Sequence, residues 1–297
     1  MEDIILRILK ISIPLSIFAI MFGLGLSVEA SLLAPFKERR MLILRSLAVV
    51  LLLVPLAVLG IILLMKPAPA VAIGLAILVA SPAAPLQLVR VTSKGGNLPY
   101  MCCLHLCLAL LALITVPITL KLFSLALGFP IDAGVLAVAK VVGITVLAPV
   151  GIGILIRTYI PRVAEAIQPT FSKAGKAVLL ISALFVIAAT YRDLFKMEPW
   201  SYFVMAVVVC VSLGIGHLLG RGDDEERTTL AMESASRGLG LALMIATLHF
   251  RPDQALPVLL PYFVVFTVIS AIYLRWRKRS SLHTSPRISA TTQPLHH

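Results

Sequence analysis

Long apolar runs are the feature that most restricts how this chain can fold. Each run extends for roughly 18 to 24 residues, the length that an α-helix needs to cross about 30 Å of hydrocarbon. Hydrophobic residues occupy 59% of the 297 positions and charged residues only 13%, whereas a soluble domain carries about 25% charged residues. The sequence therefore predicts an all-α polytopic membrane protein.

Nine such runs predict nine transmembrane helices, which we place at about 11–34, 42–65, 70–92, 98–122, 133–157, 172–191, 200–220, 228–249 and 255–277. The acidic start of the chain lacks the basic region and the cleavage site of a secretory signal, so we expect the first run to remain as a helix. Residues 1–278 are then one transmembrane domain. The polar residues 279–297 predict a disordered cytoplasmic tail.

The distribution of positive charge predicts the orientation of these helices. Most of the 26 lysines and arginines fall in alternate loops and in the C-terminal tail. Because basic residues collect in cytoplasmic loops, we expect a cytoplasmic C-terminus and an outside N-terminus, in a plasma membrane or a bacterial inner membrane. The lipid bilayer also accounts for the net charge of +12, and we expect no nucleic-acid partner.

Two of the predicted helices are interrupted near their middle. Pro82 and Pro85 each remove a backbone donor from the third run, and Gly238 and Gly240 loosen the eighth. The two helices run in opposite directions, and such a matched pair is typical of inverted repeats with a central binding site between them. The alternative is that both are ordinary kinks without a special role.

The eighth run also carries two charged side chains, Glu233 and Arg237, with Ser236 and Gly238 beside the arginine. Ionised groups at that depth in a bilayer cost several kcal/mol and usually mark a functional site. On a continuous helix, an acid and an arginine at i and i+4 would pair. A structural ion pair that pins the two helix halves is the alternative interpretation.

Five motifs, in order, resemble the bile acid:sodium symporter family. They are IFAIMFGLGLSVE in the first run, PAPAVAIGLAILVASPAAP at 67–85, Gly95-Gly96-Asn97, LAPVGIGILIR at 147–157, and the stretch 226–242. The first run resembles the second helix of ten-helix members, so the chain resembles a divergent nine-helix form. The resemblance implies a core at about 42–122 and 200–278 and a panel at about 11–34 and 133–191, related by inverted repeats. It also implies alternating-access symport of an organic anion, such as a bile acid, a steroid sulfate or a keto acid, with sodium.

Several positions depart from what the resemblance implies. Glu233 matches a sodium-binding glutamate, but Arg237 stands where the family has a sodium-binding glutamine. Gly238, Gln87 and His105 likewise stand at positions of polar family residues. Sodium requires oxygen ligands, as other hard cations do, and arginine is a permanent cation that only donates hydrogen bonds. Our hypothesis is that Arg237 substitutes for sodium, so that transport is sodium-independent or coupled to protons through Glu233 or His105.

Other roles remain open for some of these residues. Arg237 could instead contact a carboxylate or sulfate of the substrate. Ser81 and Gln87 flank the break in the third run and are candidates for lining the site. His105 lies in CCLHLC and has a packing role or a proton-handling role; Cys103 and Cys107 share a helical face that excludes the histidine, so we expect no metal site.

The sequence carries no P-loop, H-E-x-x-H or G-x-S-x-G motif, and we expect that the protein is not an enzyme and needs no cofactor beyond a coupling ion, Na⁺ or H⁺. The competing class is a non-transporting membrane receptor or scaffold that retains the symporter fold. The identity of the substrate and the oligomeric state are not defined by the sequence.

Overall fold

A computed structural model describes residues 2–28, 38–81, 98–128, 135–220, 223–249 and 252–284. The regular structure in these ranges is helical throughout. Six of the described helices are long and apolar enough to cross a membrane: Arg7–Leu26, Arg40–Met65, Pro99–Leu127, Leu136–Tyr159, Pro199–Leu219 and Val258–Lys278. The prediction of an all-α polytopic membrane protein is confirmed.

The helices follow one another with short connections. They are α1 (Glu2–Leu26), α2 (Arg40–Met65), α3 (Pro69–Ala80), α4 (Leu98–Leu127), α5 (135–159), α6 (Pro161–Lys196), α7 (Pro199–Leu219), α8 (Asp224–Ala235), α9 (Leu239–His249) and α10 (Pro252–Thr284). α8 and α9 divide the predicted eighth span between them. α10 continues past residue 278, where we expected the disordered tail to begin.

α2 and α5 each contain one π-helical turn, at Val49–Leu53 and at Gly143–Leu147. Pro55 and Pro149 follow these turns. A proline has no N–H group, and its ring crowds the carbonyl four residues earlier; in both helices that carbonyl belongs to the middle residue of the π turn. The wider turn makes room for this carbonyl while the helix continues on both sides.

α3 ends at Ala80 because Pro82 follows two residues later in the sequence. The residue before a proline is disfavoured in the helical region, and Ser81 has extended backbone angles, φ −88° and ψ 109°. The interruption predicted in the third span therefore begins one residue before Pro82. Pro82, Pro85 and Gln87 themselves lie outside the described residues.

The interruption between α8 and α9 spans residues 236–238. α8 ends at Ala235, and Ser236 is extended, with φ −73° and ψ 138°. Gly240, which the sequence predicted to loosen the backbone, lies in the first turn of α9. A Cβ atom there would be 3.3 Å from the Ile17 side chain and 3.4 Å from that of Leu179. Gly240 therefore serves the close packing of α9 on α1 and α6.

The helices pack in two sets. α1 packs against α5 and α6, whereas α2, α3, α4, α7, α8, α9 and α10 pack mainly among themselves. A close backbone approach in the second set is at Gly216 of α7, where a Cβ atom would be 2.6 Å from the Ala231 Cα of α8. The two sets meet where α1 contacts α9, α4 contacts α5, and α6 contacts α10.

Candidate functional site

The two interrupted helices meet inside the protein. The backbone N–H of Gly238 donates a hydrogen bond to the carbonyl of Ser81, 3.4 Å away. The Ser81 hydroxyl donates to the Ile77 carbonyl at 2.8 Å and so stays within its own helix. Ser81 and Ser236 are both fully buried. The end of α3 and the gap between α8 and α9 therefore form one junction of non-helical backbone.

Arg237 lies in this junction and caps the end of α8. Its Nη2 donates to the carbonyl of Ser234 at 2.6 Å, and the hydroxyl of Tyr262 from α10 donates to the carbonyl of Ala235 at 3.1 Å. Carbonyls in the last turn of a helix have no helical partner and carry the negative end of its dipole. The guanidinium, only 5% exposed, therefore provides positive charge where the helix favours it.

Glu233 is fully buried one turn earlier on α8, beside His105 of α4. The distance from Glu233 Oε1 to His105 Nδ1 is 2.7 Å, although the two atoms are not aligned for a hydrogen bond. Among the described residues, neither oxygen of the carboxylate accepts a hydrogen bond.

The i,i+4 pairing of Glu233 with Arg237, expected on a continuous helix, does not form. α8 ends at Ala235, so Arg237 leaves the helical face on which Glu233 lies. Within the described part of the chain, the carboxylate instead faces His105, 2.7 Å away. The guanidinium acts on Glu233 only through its electrostatic field.

Arg237 retains unsatisfied donors beside a cavity. Its Nε and Nη1 have no hydrogen-bond partner within the described residues. The side chain lines a cavity of about 10 Å³, which has room for roughly one water molecule. Thr115 and Thr119 of α4 line the same cavity, together with Val50 and Leu51 of the first π turn. Positive charge, hydroxyl groups and a small void thus occur together.

The structure brings most of the predicted site residues into this one region: Ser81, His105, Glu233, Ser236, Arg237 and Gly238. It adds Ser234, Tyr262, Thr115 and Thr119, which sequence reasoning did not select. Ser234 was recognisable as the neighbour of Glu233. Tyr262 and the two threonines stand in ordinary apolar runs, and only the packing of α10 and α4 brings them to Arg237.

A second set of charges surrounds the start of α8, away from the junction. Arg39 contacts the buried Glu226, and Arg277 of α10 lies 2.8 Å from the Asp224 carboxylate and donates to Thr228 at 3.1 Å. The hydrogen bond from Arg277 lowers the pKa of Asp224. Acids at a helix start also favour its dipole, so both contacts fix the entry of α8.

The fold and the site together define a multi-pass membrane protein in which interrupted helices meet around buried charges, an arrangement found in secondary transporters. The sequence profile of the Sodium Bile acid symporter family matches residues 14–211. The chain belongs to this family, which consists of transporters and not enzymes, and it is a transporter of the bile acid symporter type.

One relative is an uncharacterized sodium-dependent transporter, YocS, of Bacillus subtilis (strain 168). It is 25% identical over 248 residues, which cover 80% of this chain and 74% of the relative. The profile match ends within α7, before α8, which carries Glu233, and before Arg237 in the gap that follows α8. Membership of the family therefore rests on residues 14–211. The interpretation of the charged junction rests on the geometry described above.

Proposed function

We propose that this protein is a secondary active transporter that moves a small organic anion by alternating access, with Arg237 in the place of a bound sodium ion. The observation that carries the proposal is the position of the guanidinium at the carbonyl end of α8. Such carbonyl oxygens are suitable ligands for a sodium ion at a broken helix. A tethered cation that already donates to one of them removes the need for sodium and repels it.

The same guanidinium is the expected contact for the substrate anion. Its Nε and Nη1 remain without partners in the described part of the chain, and an arginine fork suits a carboxylate or a sulfate. Thr115 and Thr119 add hydroxyl groups to the cavity. Since this cavity holds only about one water, the anionic group enters when α2 or α4 moves away from the junction.

The packing of the helices supports the proposed architecture. The set formed by α1, α5 and α6 corresponds to the panel, and the second set corresponds to the core that carries the junction. In this arrangement nine spans form two inverted repeats, with α3 and the α8–α9 pair as the crossed interrupted helices. The C-terminus is cytoplasmic, as the loop charges predict. Ser81, Ser236, Gly238 and His105 line the site, and we keep Gln87 as a further candidate.

Counterflow in liposomes tests the proposed function. The full-length protein is loaded with taurocholate, estrone sulfate or pyruvate, and entry of the same radiolabelled anion is measured with sodium or with choline outside. We expect entry of at least one anion at equal rates in the two cations. Complete loss of entry in choline would contradict the role of Arg237, and absence of entry for all three anions would favour the receptor or scaffold instead.

Two substitutions of Arg237 separate its role in replacing sodium from its role in binding the anion. Arg237→Gln restores the residue type that the resemblance places at a sodium ligand, and we expect entry to fall at least tenfold in choline and to recover in part in sodium. Arg237→Lys is the matched control, because it keeps the charge but loses the planar fork. Wild-type entry by Arg237→Gln at every sodium concentration would show that the guanidinium neither replaces an ion nor binds the anion.

A further inference from the structure

The buried site contains three ionisable groups whose charges can cancel. Arg237 is permanently cationic, Glu233 is an acid with no exposed surface, and His105 lies 2.7 Å from that acid. With an ionised Glu233 and a neutral His105, the net charge of the three is zero. Any further charge that enters this interior must be balanced, because an unpaired buried charge is strongly destabilising.

In this site, the positive charge of a bound proton and the negative charge of a bound monovalent anion cancel. A proton on His105 alone leaves a net charge of +1, and a monovalent anion beside Arg237 alone leaves −1. When both are present, the net charge returns to zero. Each therefore favours the binding of the other, and this favourable coupling is reciprocal by thermodynamic linkage.

The surroundings of His105 supply a reason for the proton to reside there. When Nδ1 faces Glu233, an added proton makes Nε2 a second donor. Nε2 is buried and has no hydrogen-bond partner in the described ranges. An oxygen of the incoming anion, or a water that accompanies it, satisfies this donor, so protonation is completed only when the anion is bound.

Imidazole is also a side chain that can either hold or release a proton while staying within hydrogen-bond reach of its neighbours. Among the described residues, Glu233 acts electrostatically on Tyr100 and Cys102 of α4, and Tyr262 of α10 lies beside Arg237. Phenols and thiols titrate above neutral pH in water. The described parts of α2 and α3 that pack nearby, Val49–Leu53 and Pro69–Ala80, carry no ionisable side chain.

We propose that the protein is an electroneutral symporter of one proton with one monovalent organic anion, and that His105, beside Glu233, carries the proton. This inference rests on the proposed transport function and names its coupling ion. The proton binds His105 on one side of the membrane and leaves it on the other, together with the anion. No sodium ion and no net charge cross.

A pH gradient across sodium-free liposomes tests the proposal with the three anions used above, all monovalent near neutral pH. We expect an acidic outside to drive accumulation of a transported anion by about tenfold per pH unit, because one proton moved down one pH unit balances a tenfold concentration ratio. A pH dye in the lumen reports proton entry that requires both anion and protein. A potential set with potassium and valinomycin leaves the rate unchanged, and protein-free liposomes give the background.

His105→Gln tests the carrier itself. We expect this variant to lose accumulation driven by the pH gradient and to respond to membrane potential, because its loaded form carries a net charge of −1. His217→Gln is the matched control: His217 contacts the Tyr273 hydroxyl at 2.9 Å near the end of α7, outside the site. It should behave as wild type. Glu233→Gln should also lose pH-driven accumulation yet retain exchange, because its loaded form is neutral without a proton.

Each outcome decides between the two proposals. Sodium-independent entry that a pH gradient leaves unchanged would overturn proton coupling alone. Entry that requires sodium would overturn the role of Arg237 and the coupling together, and no entry of any probe would overturn transport itself. pH-driven accumulation in a folded His105→Gln would remove that residue as the carrier. If this variant does not elute as a monodisperse protein, the stoichiometry is still decided by the response of wild type to the two gradients.

Discussion

The Arg39–Glu226 contact shows how one buried acid near the membrane surface depends on its partner. Glu226 is buried, whereas about half of the Arg39 side chain (51%) is exposed. Removing the arginine leaves an unpaired carboxylate with little access to water. Removing the acid leaves an arginine that water can solvate. The two single substitutions are therefore unequal, although they break the same pair.

We expect Arg39→Met to lower the free energy of unfolding by roughly 2 kcal/mol, a value between those of exposed and buried pairs. The apparent Tm of the detergent-solubilised protein measures this. Glu226→Gln should cost less, and the double variant Arg39→Met/Glu226→Gln should be more stable than Arg39→Met alone. Equal destabilisation by the two single variants would contradict the interpretation.

Asp224 gives a prediction about pH. Its folded pKa lies below the usual value because Arg277 hydrogen-bonds to the carboxylate. The stabilisation from this contact is therefore fully present above the unfolded pKa, about 3.9, and is lost as the pH falls through the lower folded value. We expect the difference in apparent Tm between wild type and Asp224→Asn to be constant from pH 8 to 5 and to shrink below pH 4. A difference that changes between pH 8 and 6 would assign the effect to another group.

At the scale of elements, α7 and α8 touch at a glycine that cannot be replaced without separating them. A Cβ atom at Gly216 would lie 2.6 Å from the Ala231 Cα and 2.6 Å from the Ser234 hydroxyl. Both atoms belong to the helix that carries Glu233. The separation would therefore displace the site as well as the packing.

We expect Gly216→Ala to destabilise the protein by roughly 1–3 kcal/mol, the usual cost of overpacking, and to reduce anion entry. Gly214→Ala on the same helix is the control, since nothing lies within 4 Å of a Cβ atom there. That variant should be neutral or more stable, because alanine favours a helix over glycine by about 1 kcal/mol. Apparent Tm values of both variants check the difference, and equal losses would refute it.

Element types were predictable from the sequence, but the ends inside the membrane were not. Length and hydropathy predicted the apolar helices, and Pro82 predicted the end of α3 at its preceding residues. The end of α8 was harder to predict, because glycines suggested a break at Gly238 or Gly240 whereas the chain unwinds at Ser236. Two tertiary contacts contribute to that end, because Tyr262 and the Ser81 carbonyl bind the freed backbone groups. Arg237 adds a local contact to the Ser234 carbonyl.

At the scale of the molecule, alternating access requires the two sets of helices to move past each other. Gly240 of α9 and Ile17 of α1 lie at the boundary, with 3.3 Å between the Ile17 side chain and a Cβ atom at Gly240. Cysteines introduced at both positions fall within reach of a disulfide. Such a bond would hold the sets in one relative position.

We expect oxidised Ile17→Cys/Gly240→Cys to lose at least nine tenths of its anion entry in liposomes and to regain it after reduction. Each single variant, oxidised in the same way, is the control for the native cysteines Cys102, Cys103, Cys107 and Cys210. Full transport by the cross-linked double variant would show that α1 and α9 do not move relative to each other during the cycle.

The site as a whole was only partly predictable. The cost of burying charge identified Glu233 and Arg237 from the sequence, and the matched interruptions predicted a central site between the two broken helices. The partners of the charges depended on side chains from α4 and α10 that no motif marks. A helical i,i+4 argument paired the acid with the arginine, and it was wrong because the helix ends between them.

The π turn in α2 has a consequence for how the helix presents its residues. A π turn adds one residue to a helix, and one residue corresponds to a rotation of about 100°. The residues from Arg40 to the turn are therefore rotated about the helix axis, compared with a regular α-helix extended backwards from Pro55. If Pro55→Ala allowed α2 to regain regular α geometry, Val50 and Leu51 would turn away from Arg237. Pro55, which lines the same cavity as Arg237, thus determines which other side chains α2 presents to the guanidinium.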